Sequence, residues 1–187
     1  VARRDHSFPK HSLASLVMTV KHVSLDTGRQ LTGKSAITVP DQRWDRRDIK
    51  TIQLLPNCLA KQAASEKGAY EAIMVMPDGS VSEGSSSNVW ILNNQNQLIT
   101  RQPDEDILNG ITRQSIQRIA SERQLEIVER SFSVAEMIQA KEVFVTSATS
   151  MVTALTHIDG KKIDEGKVGL IASALKADYI EHVETCS

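Results

Sequence analysis

Cysteine is scarce in this chain: Cys58 and Cys186 are its only two in 187 residues. They are too few and too far apart for a disulfide framework or a thiolate metal site, and both are read as reduced thiols. Aromatic residues are also few, at 4%, and the formal net charge is only −1. A balance so near zero gives no electrostatic reason to expect nucleic acid or an anionic membrane surface as a partner. Long apolar runs are missing too, because Lys, Glu or Asn interrupts each candidate before it reaches bilayer length. The opening Val-Ala-Arg-Arg-Asp-His has no apolar signal-type core, so a cytoplasmic setting is expected. His11, His22, His157 and His182 form no metal-ligand spacing, and no metal is expected.

What is present is ordinary globular material, 40% hydrophobic and 24% charged, with no repeat and no linker-like tract. One compact domain over residues 1–187 is the expectation. Strands are predicted at Leu13 to Val23, Ser35 to Val39, Tyr70 to Met76, Val81 to Glu83, Asn88 to Leu92, Leu98 to Arg101, Leu125 to Glu129, Glu142 to Thr146 and Met151 to Ile158. Helical spacing marks Leu54 to Glu66 (Leu55, Leu59, Ala63 and Glu66 a turn apart), Ile111 to Arg123 (Ile111, Ile116, Ile119, Ala120), Val134 to Ala140 and Val168 to Val183. Turns are predicted at Asp26-Thr27-Gly28, Pro77-Asp78-Gly79, Asn93 to Gln97 and Asp159-Gly160. Hairpin-like pairs mixed with crossovers give an α+β class.

Several stretches carry chemistry. Lys50 follows a run dense in Arg and Asp, Arg43-Trp44-Asp45-Arg46-Arg47-Asp48-Ile49. A lysine buried beside other cations sheds its proton more easily and serves as a nucleophile; a plain surface lysine is the other reading. In Glu83-Gly84-Ser85-Ser86-Ser87-Asn88 an acid opens a glycine-serine turn whose hydroxyls can bond a ligand or hold the glutamate, or do nothing beyond turning the chain. Leu108-Asn109-Gly110-Ile111-Thr112 begins a helix whose free amides suit a phosphate, although many such starts bind nothing. Thr146-Ser147-Ala148-Thr149-Ser150 is a second hydroxyl-rich turn. Arg4-Asp5-His6 can grip a carboxylate or remain a solvated basic segment.

In this order the stretches resemble the class IV pyridoxal-phosphate aminotransferases, and most of all the D-amino acid transaminases, from Arg4 to about Lys167. Besides the turns above, Leu54-Leu-Pro-Asn-Cys-Leu-Ala-Lys-Gln62 and Lys67-Gly-Ala-Tyr-Glu-Ala72 carry the resemblance. It implies the large C-terminal domain of the fold-type IV enzymes, a mixed α/β pseudobarrel, with pyridoxal 5'-phosphate as cofactor. By the same resemblance Lys50 forms the Schiff base and moves the substrate proton, and Glu83 partners the pyridine nitrogen. Leu108 lies against the ring, Ile111 and Thr112 hold the phosphate, and Ser147 and Ala148 form the second phosphate turn. The family often has a hydroxyl residue at the place of Ala148, which here leaves backbone amide alone. Ser86 would touch cofactor or substrate, and Arg4 and His6 match the Arg-x-His element that traps the substrate α-carboxylate.

The implied reaction exchanges an amino group between a D-amino acid such as D-alanine and a 2-oxo acid, in a homodimer. Aminodeoxychorismate lyase and branched-chain aminotransferase are the alternatives on the same scaffold. One departure is large. The family's smaller amino-terminal domain, with an arginine for the phosphate and a tyrosine near the substrate, has no counterpart in this chain, which begins without Met and is expected to be part of a longer protein.

Overall fold

The computed structural model describes residues 6–7, 10–11, 13, 15–22 and 31–185. Its frame is one mixed sheet. In chain order the strands are β1 (Lys34–Pro40), β2 (Glu71–Val75), β3 (Val81–Gly84), β4 (Asn88–Leu92), β5 (Leu98–Thr100), β6 (Ile127–Glu129), β7 (Glu142–Ser147), β8 (Met151–Ile158) and the short β9 (Lys161–Lys162). They lie in the order β3-β2-β1-β8-β7-β4-β5-β6, with β9 paired to β8. β1 runs parallel to both of its neighbours, β2 and β8, and β5 runs parallel to β6, while the other pairs are antiparallel.

The central strands are buried on both faces, so their two side-chain rows enter different cores. Val89, Ile91, Val143, Val145 and Leu155 point to one face and meet Phe132 and Met137. Trp90, Phe144, Val152 and Ala154 point to the other and pack with Ile116, Ile119, Ala172 and Leu175. The last four belong to helices α2 (Ile111–Glu122) and α4 (Leu170–Thr185). The Trp90 and Phe144 rings stack at 5.9 Å between centroids, and truncating either ring to Ala is expected to remove about 3–5 kcal/mol. Helix α1 (Leu55–Glu66) rests on β1 and β2 through Ala60 and Ala64, small residues that let it approach Ile37, Ala72 and Met74 closely.

Helix α3 (Val134–Ile138) begins at Ser133, whose hydroxyl accepts from the Glu136 amide at 3.2 Å. The punctuation follows turn chemistry: Gly68, at φ +68°, follows α1, and Gly79, at φ +84°, completes the Pro77-Asp78-Gly79 turn. The Asp78 carboxylate accepts from the Ser80 amide at 2.9 Å in that turn.

Three expectations fail. The described residues of 13–23 form no strand and are exposed, with Leu13 and Val20 at 99%. A strand needs a ladder partner, and β1, the next strand along, already has both edges occupied by β2 and β8. The apolar stripe of α1 is out of phase: Leu55 and Leu59 are exposed, and alanines face the sheet instead. Ile111, assigned to the apolar face of α2, is 73% exposed, whereas Ile116, Ile119 and Ala120 are buried as their spacing predicts. The Asp26-Thr27-Gly28 turn lies outside the described residues.

Candidate active site

Four segments meet at one end of the sheet around a cleft of about 1070 Å³. That is room for a cofactor and a small substrate together. The loop 41–54 between β1 and α1 brings Lys50 to its wall. The β3–β4 turn brings Glu83 and Ser86; the approach to α2 brings Leu108, Ile111 and Thr112; and the β7–β8 turn brings Ser147 and Ala148.

Glu83 is the most constrained of these groups. It sits at the end of β3 with its side chain 8% exposed. Its Oε1 accepts from Arg43 Nη1. Its Oε2 accepts from Asn88 Nδ2 at 3.1 Å and from the Leu108 amide at 3.2 Å. A carboxylate offers about four acceptor positions, so one is not used by the described residues. Burial pushes the carboxyl up from 4.5 to about 7, against the Arg43 guanidinium, which favours the anion.

The glycine-serine turn is braced from behind by a second acid. Glu71 Oε1 accepts from the Ser85 hydroxyl at 2.5 Å and the Ala72 amide at 2.8 Å, and Oε2 accepts from the Ser87 hydroxyl at 2.8 Å. Lys61 stands 3.6 Å from the same carboxylate. Two of the three serine hydroxyls therefore hold Glu71, not Glu83, and only Ser86 is exposed at the cleft. Gly84 allows this closeness, since a Cβ there would run into Ser87 Oγ and meet Glu71 at 3.2 Å. Asn57 of α1 donates to the Ser85 carbonyl at 2.9 Å and ties the helix to the turn.

The start of α2 leaves its first amides without a side-chain cap. Gly110 caps it without a side chain, and the first turn has no acid to neutralise the dipole. Thr112 is buried, and its Oγ1 has no hydrogen-bond partner among the described residues. A Cβ at Gly110 would stand 2.5 Å from Asn88 Oδ1, so glycine is needed where the helix start closes on the Glu83 shell. Across the cleft, Ser147 Oγ lies 2.5 Å from Ser150 Oγ and accepts from the Ser150 amide at 3.2 Å. Its hydroxyl thus closes its own turn. Thr146 lies behind it, accepting from the Trp90 indole N–H at 3.0 Å.

Lys50 is exposed, so of the two readings of its surroundings the surface one holds. The neighbouring arginines are matched with acids instead: Arg46 with Asp48, Arg47 with Asp106, and Arg43 with Asp41 and Glu83. Sequence reasoning assigns no role to Asp41, Arg43, Asn57, Glu71 or Asn88. Arg43, Asn57, Glu71 and Asn88 lie inside the quoted stretches, but contacts across strands leave no local spacing to read. Arg4 lies outside the described residues, and His6 is exposed. Cys58 is a free, exposed thiol in α1, and Cys186 is outside the described residues.

Comparison with known proteins agrees with this geometry. The model of the family "Amino-transferase class IV" matches residues 3–158. A D-alanine aminotransferase of Bacillus licheniformis is 44% identical over 140 residues, covering 75% of this chain and 49% of that protein. The D-alanine aminotransferase of Listeria innocua is 38% identical over 182 residues, covering 96% of this chain and 62% of its own length. Among solved structures, the branched-chain amino acid aminotransferase of Thermobaculum terrenum in its PLP-bound holo form superposes with a TM-score of 0.73. It is 25% identical, over 83% of this chain and 52% of that one. The chain thus spans about half to two-thirds the length of the relatives it matches. Its sheet is the mixed α/β half-barrel of the fold-type IV enzymes, and the chain belongs to the class IV aminotransferases.

Proposed function

We propose that this chain is the cofactor-binding large domain of a pyridoxal 5'-phosphate-dependent aminotransferase. It would move an amino group between a D-amino acid of the D-alanine type and a 2-oxo acid. One observation carries the reading: Lys50, Glu83 and the uncapped start of α2 line a single cleft.

The residues present fit the cofactor at both ends. Thr112 Oγ1, buried and unpartnered among the described residues, and the first amides of α2 suit a phosphate dianion. The acceptor position left on Glu83 suits the N–H of a protonated pyridine ring. When bound, the cofactor supplies a ring that draws off the negative charge developing on the substrate α-carbon. Lys50, with its four-carbon stem free at the cleft wall, holds the cofactor aldehyde and then carries the proton at the substrate α-carbon. Leu108, half-buried with both backbone groups engaged on Glu83 and Asn88, offers the ring an apolar face. Ser147 and Ala148 close the phosphate end through backbone amides, because the Ser147 hydroxyl is engaged with Ser150. Ser86 is free to meet cofactor or substrate.

The D-amino acid assignment rests on two supports. Relatives carrying the name D-alanine aminotransferase reach 44% identity, against 29% for a branched-chain enzyme among the structural neighbours. The second is the Arg4-Asp5-His6 element, in which Arg4 and His6 would hold the substrate α-carboxylate. A homodimer and a cytoplasmic setting belong to the same proposal, through the family resemblance. The branched-chain reading is kept because enzymes of that name share this shape, with TM-scores of 0.74 and 0.75.

The test is a spectral titration of the cofactor-loaded protein with D-alanine, L-alanine, L-leucine and aminodeoxychorismate, with product analysis. D-alanine should convert the cofactor to its amino form and release pyruvate in equal amount. Conversion by L-leucine without response to D-alanine would transfer the assignment to branched-chain substrates. Pyruvate release from aminodeoxychorismate alone would make the protein a lyase.

A further inference from the structure

Behind Glu83 lies a line of buried charge that the reaction itself does not use. Asp41, in the loop after β1, has a fully buried side chain. It accepts from Arg43 Nε at 2.9 Å on Oδ1 and from Arg43 Nη2 at 2.7 Å on Oδ2, a bidentate grip. The Arg43 amide at 3.1 Å and the Ser82 hydroxyl at 2.7 Å complete it. With two of its nitrogens held there, the guanidinium fork has Nη1 left, and Nη1 donates to Glu83. Ser82 and Glu83 are adjacent on β3, so the same strand supports both ends of the line.

We propose that Arg43, gripped by Asp41, is a positioning residue for Glu83: it fixes the orientation of the carboxylate and favours its anionic form at the cleft wall. The inference rests on the cofactor reading above, in which that carboxylate faces the ring nitrogen. The physical need is plain. A carboxylate taken out of water tends to keep its proton, and a neutral acid at this point would offer the ring a donor where an acceptor is required. Arg43 is the cation in contact with Glu83, and its side chain is itself only 8% exposed. The other groups facing this spot cannot replace it. Asn88 and the Leu108 amide are neutral, Asp41 is an anion, and Arg47 and Arg101 are turned onto Asp106, with Arg47 also 3.4 Å from Asp41. A lysine at position 43 could restore the charge but not the fork.

Two signals other than turnover test this. One is the titration of the Glu83 carboxyl, followed by carbon-13 NMR in the cofactor-free protein. The other is the nitrogen-15 resonance of the pyridine ring in the loaded protein. In Arg43→Met the carboxyl midpoint should rise by about one to two units. From a starting value of about 7, that leaves about 5- to 50-fold less anion at neutral pH, and the ring resonance should move toward neutral pyridine. Arg43→Lys should shift both signals by a smaller amount. If Arg43→Met does not fold, Arg43→Gln removes the charge while keeping a polar side chain, and it should move both signals in the same direction. A folded Arg43→Met, or failing that a folded Arg43→Gln, with the carboxyl midpoint unchanged would overturn the inference. Absence of cofactor on Lys50 would instead sink the functional reading, and the cofactor-free titration would still decide the role of Arg43.

Discussion

Glu71 and Glu83 are both buried, sit on neighbouring strands, and flank the same glycine-serine turn, yet their surroundings differ in one respect. Glu71 receives two serine hydroxyls, a backbone amide and a nearby lysine, and it does not line the cleft. Glu83 receives an arginine, an asparagine and an amide, and it does line the cleft. Each accepts three hydrogen bonds from the described residues, so the difference lies in where the carboxylate faces. An acid closed off from the cleft can only hold structure, whereas one that lines the cavity with an acceptor position unused can act on a ligand. The contrast also explains why the turn is rich in serine: Ser85 and Ser87 complete Glu71 so that the backbone carrying Glu83 cannot drift.

The comparison can be broken by exchanging the consequences. Glu83→Gln should lower turnover about 100- to 1000-fold, in the range for losing one preorganised electrostatic contact, with little change in the thermal midpoint. Glu71→Ala should do the reverse. Stability should fall by about 3 kcal/mol as Ser85, Ser87 and the Ala72 amide lose their acceptor, measured by urea unfolding, while the ring-nitrogen signature of folded protein moves less than in Glu83→Gln. Equal effects on both quantities in both variants would erase the distinction.

Acidity sharpens the same contrast. Because the folded Glu83 carboxyl lies above its ordinary value, its protonated form favours the native state. Its contribution is complete below about 4.5 and is lost as pH rises through about 7 in the cofactor-free protein. Asp41 has the opposite sign. Arg43 and Ser82 hold its carboxyl below the usual range despite burial, so its contribution is present at neutral pH and lost in acid. Thermal midpoints across this range should flatten between 4.5 and 7 in Glu83→Gln; an unchanged slope would remove Glu83 as its source. The smallest effect concerns the far end of the cleft. Thr112→Val should weaken cofactor affinity about tenfold, the loss of one hydrogen bond to a charged group, without lowering cofactor-free stability, because its hydroxyl has no partner to lose among the described residues. Unaltered affinity would detach Thr112 from the phosphate.

Much of the fold is legible in the chain itself. The bounds of β4 and β8 match their patterns residue for residue, because alternating rows buried on both faces leave a dense apolar signal. Helix α2 is legible from Ile116, Ile119 and Ala120, and the cleft from turns that keep their order along the chain. The failures share a cause. Whether 13–23 joins a sheet depends on a free edge elsewhere, the phase of α1 depends on which residues can approach β2, and the partners of Ser85 and Ser87 lie across a strand boundary. Whether Lys50 is buried among cations or lies at the surface stays open in the sequence, because charge density along the chain does not show that Arg43, Arg46 and Arg47 fold back onto acids. Local spacing carries none of these facts.

The central claim is that Lys50 and Glu83 address one ligand within one cleft. Its most direct test is to load the protein with pyridoxal 5'-phosphate, reduce with borohydride, digest, and locate the pyridoxyl group by mass spectrometry. The account predicts a single labelled site at Lys50, with label retained in Glu83→Gln and lost in Lys50→Ala. Label on another lysine, or none on wild-type protein, would contradict it.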